Sequence, residues 1–321
     1  MTTCGAATRP ERCGVGKAFD YSPASRRSFR SHALLMLTAM IWGFAFVAQR
    51  AGMTHIGPFT FNAIRFALGA AVLSPFVRRE VPRGRSSMAD ARGILITGAL
   101  LFLGASSQQA GLVFTTAGKA GFITGLYVVL VPLMALPLGY RPGVAAWCGS
   151  ILATLGLYLL SAQRGLSLAP GDGLVLLGAF WWAAHVLAIG HFSPRIGPLR
   201  LARAQFAVCA ALSAAIAMAA ESHGFGGIRA AILPLLYSGI LSVGLGYTLQ
   251  VVAQEHTSPS HAAIILSLES VFAAVGGWAV LGERASSRQA VGCAVMLAGM
   301  ICSQISVPST RHTRDGPTAR E

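Results

Sequence analysis

Residues 262–281 read AAIILSLESVFAAVGGWAVL, twenty residues with a single charged side chain, Glu269. At about 1.5 Å of rise per residue, a helix of this length crosses a hydrocarbon core of about 30 Å. A strand reading fails, because the run has no sustained alternation and is far longer than a barrel strand. A carboxyl group in the middle of such a span is costly unless it is neutral, paired or solvated by a cavity. Glu269 is therefore expected to face the interior of a helix bundle rather than lipid.

Working outward with a window of about 19 residues, nine more apolar runs appear. They are Ala33–Arg50, Phe59–Val77, Gly93–Val113, Ala120–Gly139, Gly143–Ser161, Gly173–Gly190, Leu201–Ala220, Ala230–Val252 and Gln289–Val307. The expected fold class is all-α integral membrane, with ten transmembrane helices. Composition agrees. Charged residues make up only 11% of the chain, against roughly 25% in an ordinary soluble domain. That is too little charge to cover a water-exposed surface.

The charge that remains is skewed, with 25 Lys+Arg against 11 Asp+Glu. A nucleic-acid binder would carry such an excess on one folded polar face. Here it sits in the tails and short connections, so no nucleic-acid partner is expected. With the N-terminus placed in the cytoplasm, 18 Lys/Arg fall inside and 6 outside, with Arg65 within a span. By the positive-inside rule, this places both termini in the cytoplasm, in a multi-pass protein of the cell inner (plasma) membrane. No cleavable signal precedes the first span. Cys148, Cys209, Cys293 and Cys302 lie in apolar runs as small hydrophobes, and no zinc spacing or disulfide framework is present.

Slid against itself by about 140 residues, the chain matches in order. Ala39-x-x-Trp42 meets Ala179-x-x-Trp182, and Arg65-Phe66-Ala67 meets Gln205-Phe206-Ala207, both at an offset of 140. At 142, Gly104 and Gln108 meet Gly246 and Gln250, Thr115 meets Thr257, and Ala120 meets Ala262. At 143, Gly149 and Gly156 meet Gly292 and Gly299. The expected organisation is a basic cytoplasmic tail (1–32, disordered), a first five-helix repeat (33–161), a second (173–307) and a cytoplasmic tail (308–321). An odd number of helices per repeat makes the second copy enter from the opposite side, giving two inverted five-helix repeats. That architecture serves alternating access, with the solute site near the midplane at the repeat interface.

These residues carry a resemblance. Ala39-Met40-Ile41-Trp42-Gly43, Pro58-Phe59 leading to Arg65-Phe66, the run Thr115 to Tyr127, Leu266 to Ala274 around Glu269, and Leu281-Gly282-Glu283-Arg284 occur in this order. The chain resembles the drug/metabolite transporter superfamily in its EamA-like ten-helix branch, over about Ala33 to Val307. The resemblance implies a secondary permease for a metabolite or drug-like solute, more often an exporter. The chain departs from the family at Ser270, where Pro is frequent, and at Gly139-Tyr140-Arg141, where an acidic residue is frequent. A Pro-made helix break at Ser270 is thus not carried over.

The candidate cavity or coupling residues are Glu269, Arg65, Gln108, Gln250, Trp42, Trp182, Tyr127 and His185. Glu269 reads as a proton-coupling site or a contact for a cationic solute group, or else as a hydrogen bond to a neighbouring helix. Arg65, about two turns into its span, is read as a structural or gating ion contact, with pairing to Glu269, an anionic solute group and snorkelling as alternatives. His185 suits a proton relay, although a lone helical His is more often hydrogen-bonded structure. Gln108 and Gln250 line one cavity from two sides or act as interhelical glue. Trp42, Trp182 and Tyr127 serve as cavity wall or as packing. Gly121 with Gly125, and Gly149 with Gly156, give close helix approach, while Pro132, Pro137 and Gly276-Gly277 permit kinks.

The partners expected are a small-molecule solute, the lipid bilayer and a coupling proton. No cofactor and no metal are expected, since His256 and His261 near Glu255 read as a solvated turn. An enzyme is not expected either, because HExxH, GxSxG and an acidic pair within the spans are all missing. A membrane-embedded enzyme and a non-transporting sensor or scaffold are the alternatives. Direct ATP drive would need GxxxxGK[ST], which the chain lacks.

Overall fold

The computed structural model describes residues 26–80, 87–115, 117–139, 142–161, 170–221, 225–280 and 286–304. Residues 1–25 and 305–321, residues 140–141, the connection 162–169 and the Gly282-Glu283-Arg284 motif lie outside the described residues, with many of the arginines that set orientation. The last seven residues of the expected disordered tail, 26–32, are instead helical and open α1.

Among the described residues every regular element is helical. The order is α1 (Arg26–Gly52), α2 (Pro58–Val77), α3 (Met88–Phe114), α4 (Ala117–Gly125), α5 (Tyr127–Ala135) and α6 (Val144–Ser161). Then follow α7 (Pro170–Ile196), α8 (Pro198–Ala220), α9 (Phe225–Ala230), α10 (Ile232–Leu236), a π-helix (Tyr237–Tyr247) and α11 (Thr248–Gln254). Helices α12 (Pro259–Leu266), α13 (Glu269–Val280) and α14 (Ser287–Gln304) close the bundle. Among the described residues seven helices are long and apolar enough to cross a membrane. The other three expected spans fall on shorter apolar helices, Val144–Leu159, Pro259–Val275 and Ser287–Ser303.

Helices dominate because a chain in hydrocarbon must satisfy its backbone within each segment. The polarity of the bundle suits that solvent: Leu95, Ile151, Leu177 and Leu233 are exposed, while Arg65, Gln108, His185, Gln250 and Glu269 are buried. Cys209 and Cys293 are buried free thiols, and Cys148 is exposed.

Several helix ends differ from the hydropathy reading. Helix α3 starts at Met88, five residues before the expected Gly93, because Ser87 and Asp90 form a capping box. In it the Asp90 N–H donates to Ser87 Oγ at 3.2 Å and the Ser87 N–H to Asp90 Oδ2 at 3.0 Å. The expected continuous span 120–139 breaks at Leu126, between α4 and α5, upstream of both prolines. Span 262–281 breaks at Ser267–Leu268, directly before Glu269 and without a proline. Both breaks are tight turns, closed by Leu126 N–H to Ile123 O (3.2 Å) and by Leu268 N–H to Ile265 O (3.2 Å). Ser267 Oγ also donates to Ile264 O at 2.8 Å, a back-bond of the kind that bends helices.

Helices α2 and α8 run antiparallel and cap each other. Glu221, just past α8, accepts from the Phe59 and Thr60 N–H groups at 2.8 Å each and from the Thr60 hydroxyl at 2.6 Å. Glu80, past α2, accepts from the Leu199 and Arg200 N–H groups at 3.2 and 2.8 Å. Each capped helix opens on Gly-Pro, at Gly57-Pro58 and Gly197-Pro198. Pro at the first helical position needs no N–H partner. The glycines leave room for the carboxylates: a Cβ on Gly57 would collide with Glu221, and one on Gly197 would lie 2.9 Å from Glu80 Oε1. Carboxylates here also meet the positive end of each helix dipole.

Loss of an N-cap costs about 0.5–2 kcal/mol. Glu80→Ala and Glu221→Ala should each destabilise the protein by that amount, read as a lowered midpoint of thermal unfolding in detergent. The two caps lie at opposite ends of α2, about 30 Å apart at about 1.5 Å per residue, so the double variant should show the sum. Unchanged midpoints in both single variants would contradict the capping role.

Helices α6 and α14 are also antiparallel and meet through glycines. A Cβ on Gly149 would lie 2.8 Å from Gly299 O, and one on Gly156 would lie 2.6 Å from Gly292 O. These are the four glycines that the self-comparison matched, each facing the counterpart of its helix-mate.

Candidate functional site

A cavity lies inside the bundle. Helix α1 presents Trp42, Ala45, Phe46 and Gln49 to it, α3 presents Gln108, and the α4–α5 break presents Thr124 and Tyr127. From the later elements come Trp182 and Val186 of α7, Ser242 and Tyr247 of the π-helix, and Gln250 of α11. Leu266 and Glu269 reach it from either side of the α12–α13 break. A tight turn within a span thus places Tyr127 and Glu269 at the cavity.

Ten of these fourteen lining positions fall into five pairs separated by 140 or 142 residues: Trp42/Trp182, Phe46/Val186, Gln108/Gln250, Thr124/Leu266 and Tyr127/Glu269. The cavity is therefore built from the same positions of the two matched segments, with different side chains in three of the five pairs.

Polar groups in the cavity are incompletely bonded. Gln49 Oε1, Thr124 Oγ1, Tyr127 OH, Gln250 Oε1 and Glu269 Oε1 are buried without a hydrogen-bond partner among the described residues. Buried polar atoms are nearly always bonded, so five such atoms around one space are suited to a polar occupant. The aromatic wall is continuous. Tyr247 has its ring centroid 4.4 Å from that of Trp42 and is stacked 5.8 Å from Trp182. Phe66 and Phe206, themselves matched at an offset of 140, back Tyr247 at 5.9 and 6.2 Å.

Equivalent groups are not in equivalent states. Trp182 Nε1 donates to Gln108 Oε1 at 2.7 Å. Its counterpart, Trp42 Nε1, donates instead to the Ser242 carbonyl at 3.2 Å, and Gln250 Oε1 has no partner. Ser242 belongs to the π-helix, a widened helix type that occurs often at functional sites. Thr38 Oγ1 donates to Gly246 O (3.2 Å) and Tyr237 OH to Ile41 O (2.9 Å), so the π-helix is tied to α1 at three points.

Six of the eight candidate residues line this cavity: Trp42, Gln108, Tyr127, Trp182, Gln250 and Glu269. Arg65 and His185 do not. Arg65 is buried, with Nε donating to Asn62 Oδ1 at 2.9 Å and the guanidinium 4.8 Å from the Phe66 ring centroid. It neither snorkels outward nor forms an ion pair with Glu269. The His185 ring is bonded through Nε2 to Gln205 Oε1 at 2.9 Å and lies edge-on to Trp182 at 5.8 Å. It supports the cavity wall from behind.

Sequence reasoning missed Gln49, Thr124 and Tyr247. Hydroxyl and amide groups in spans are common, and nothing local separates those that face a cavity from those that bridge helices. The repeat gave a usable signal for Thr124, three residues before Tyr127 as Leu266 is before Glu269. It also missed the stitch on the far side of α1, where Thr115 Oγ1 donates to Asp172 Oδ1 at 2.6 Å and Arg50 donates to the Leu112 and Thr115 carbonyls. Among the described residues no group of three or more His, Cys, Asp or Glu is placed to hold a metal.

An apolar helix bundle around a polar, aromatic-walled cavity has the build of a membrane transporter for small solutes. The chain belongs to the EamA-like transporter family, whose sequence model matches it twice, over residues 30–162 and 169–304. It is similar to an uncharacterized transporter of Archaeoglobus fulgidus, 34% identical over 275 residues and covering 85% of each chain. It is also similar to a WAT1-related chloroplastic protein of Arabidopsis thaliana, at 26% identity over 85% of this chain and 69% of that one. One solved crystal structure superimposes with a TM-score of 0.73 at 20% identity, covering 85% of this chain and 96% of that one. That likeness concerns the fold alone.

Proposed function

We propose that the cavity is the solute site of a secondary transporter working by alternating access, with export as its direction. The observation that carries this reading is the set of unpartnered polar atoms in a cavity built from paired positions of two matched segments. In this reading the ten apolar helical segments are ten spans in two inverted five-helix halves, residues 33–161 and 173–307. Both termini then lie in the cytoplasm and the bilayer is the cell inner membrane. The reciprocal caps of α2 and α8, and the mutual glycine contacts of α6 and α14, support a two-fold relation between the halves.

Inverted repeats supply alternating access when the halves exchange conformations. The unequal tryptophan pairs fit that scheme. Of the two Trp–Gln pairs that face each other across the halves, Trp182–Gln108 is bonded, whereas Trp42–Gln250 is open and Trp42 is bonded to the π-helix instead. In the opposite-facing state the two halves trade these roles. Glu269 is the candidate for holding a coupling proton, and the neutral amides and hydroxyls around it are the candidates for orienting the solute.

The test is flux into liposomes containing the purified protein, across amino acids, cationic drugs and nucleosides, with and without a pH gradient. Flux of at least one compound above protein-free liposomes is expected. No flux for any compound, together with turnover of a lipid substrate, would overturn the reading in favour of a membrane enzyme.

A further inference from the structure

We infer that the solute is a small organic cation with an apolar or aromatic body, bound by the Glu269 carboxylate and the Trp42–Tyr247–Trp182 wall. The inference rests on the cavity being the solute site. Among the described residues Glu269 is the one Asp, Glu, Lys, Arg or His side chain that lines it. The buried Arg65 is not part of the lining: its Nε is bonded to Asn62 and its guanidinium lies over Phe66. His185 is likewise outside the lining and bonded to Gln205. The fixed charge that the described lining residues present to an occupant is therefore negative.

A buried carboxylate without a partner is costly, and an occupant bearing a positive charge relieves that cost. A carboxylate-bearing occupant adds a second negative group at low dielectric, where like charges repel strongly. A zwitterion gains at one end what it loses at the other, since no cation lines the cavity to receive its carboxylate. The tryptophan N–H groups cannot serve that purpose, because both are already donated, to Gln108 Oε1 and to Ser242 O. Tyr247 and the two indoles add ring faces, and ammonium groups within about 6 Å of such faces are attracted by the ring quadrupole. The amides of Gln49 and Gln250 can present either end to a ligand, so they accept N–H donors without deciding the charge.

The experiment uses the full chain purified in detergent at fixed pH and reads quenching of tryptophan fluorescence. The probes share one ring and differ in head group: 2-phenylethylamine, 2-phenylethanol, 3-phenylpropanoate and phenylalanine. The amine is expected to bind at least about 10-fold more tightly than the alcohol, a difference of about 1.4 kcal/mol, and the acid and phenylalanine more weakly than the alcohol. In Glu269→Gln the amine's advantage should fall to within about 3-fold, with an unchanged elution profile in detergent as the sign of an intact fold. Equal binding of amine and alcohol by the unaltered protein overturns the inference, whatever the variant does. So do acid or phenylalanine binding as tight as the amine's, no binding of any probe, or an undiminished amine advantage in Glu269→Gln. Failure of the transport reading looks different: selective amine binding with no flux of any compound. Flux confined to anions or zwitterions sinks the cation assignment and leaves transport standing.

Discussion

Glu269→Gln should abolish the dependence of flux on a pH gradient while the protein folds as before. The substitution keeps the size and shape of the side chain and removes its capacity to take up and release a proton. Two observations separate this outcome from that of a structural carboxylate. Glu269 makes no side-chain hydrogen bond among the described residues, and its Oε1 is buried without a partner, so the change breaks no bond. The interhelical bond of this segment belongs to the next residue, where Ser270 Oγ donates to Gly121 O at 3.3 Å and ties α13 to α4. The close approach of α13 to α1 is a backbone matter: a Cβ on Gly43 would lie 2.7 Å from the Glu269 carbonyl oxygen. A neutral amide at 269 breaks no bond and keeps the side chain's volume, so the loss of stability should stay below about 1 kcal/mol, the centre of the range for single substitutions. Counterflow of solute without a gradient should persist. Full gradient-driven flux in the variant, or a large loss of stability, would make Glu269 a structural residue.

How much of this was legible in the sequence depended on the range of the interaction concerned. Helical spans are local, because hydrocarbon leaves each segment no other way to satisfy its backbone, and runs such as 262–281 reported them directly. The cavity was legible to the extent that rare residues recur, since Trp42 with Trp182 and Gln108 with Gln250 stood out from apolar background. Contacts between segments were not. Glu80 and Glu221 lie beyond the ends of the apolar runs and carry no local signal, yet each reaches about 120 to 160 residues along the chain to cap a helix. The Gly-Pro pairs before those helices, at the repeat offset, were a signal left unused. Arg65 and Gln205 aligned, but their fates diverge, Arg65 bonding locally to Asn62 and Gln205 bonding to His185. The break before Glu269 arose without the family's proline, from a tightened turn and the Ser267 back-bond. The π-helix had no sequence mark at all, because it is tied to α1 through backbone carbonyls, at Ser242 and Gly246.

Gly156→Leu should cause the largest loss of stability of any single change at the α6–α14 contact. Overpacking a protein interior typically costs about 1–3 kcal/mol, because neighbouring side chains give way. At Gly156 the obstacles include backbone. The first added carbon would lie 2.6 Å from Gly292 O and 2.6 Å from Met296 N, and the helices must separate to admit it. Separation would also undo the reciprocal contact at Gly149 and Gly299, where the added carbon meets the opposite carbonyl at 2.8 Å. A loss above about 3 kcal/mol is expected, beyond the usual overpacking range. It would be measured as a lower unfolding temperature and a smaller fraction eluting as a single species in detergent. Gly156→Ala should follow in the same direction with a smaller loss, since only the first carbon is added. Gly173→Ala is the contrasting case. No atom lies within 4 Å of its added carbon, and alanine favours a helix over glycine by up to about 1 kcal/mol, so that variant should be neutral or slightly more stable. Unfolding of Gly156→Leu at the original temperature would mean that α6 and α14 do not meet at these glycines, and one of the two contacts that support the two-fold relation between the halves would be lost.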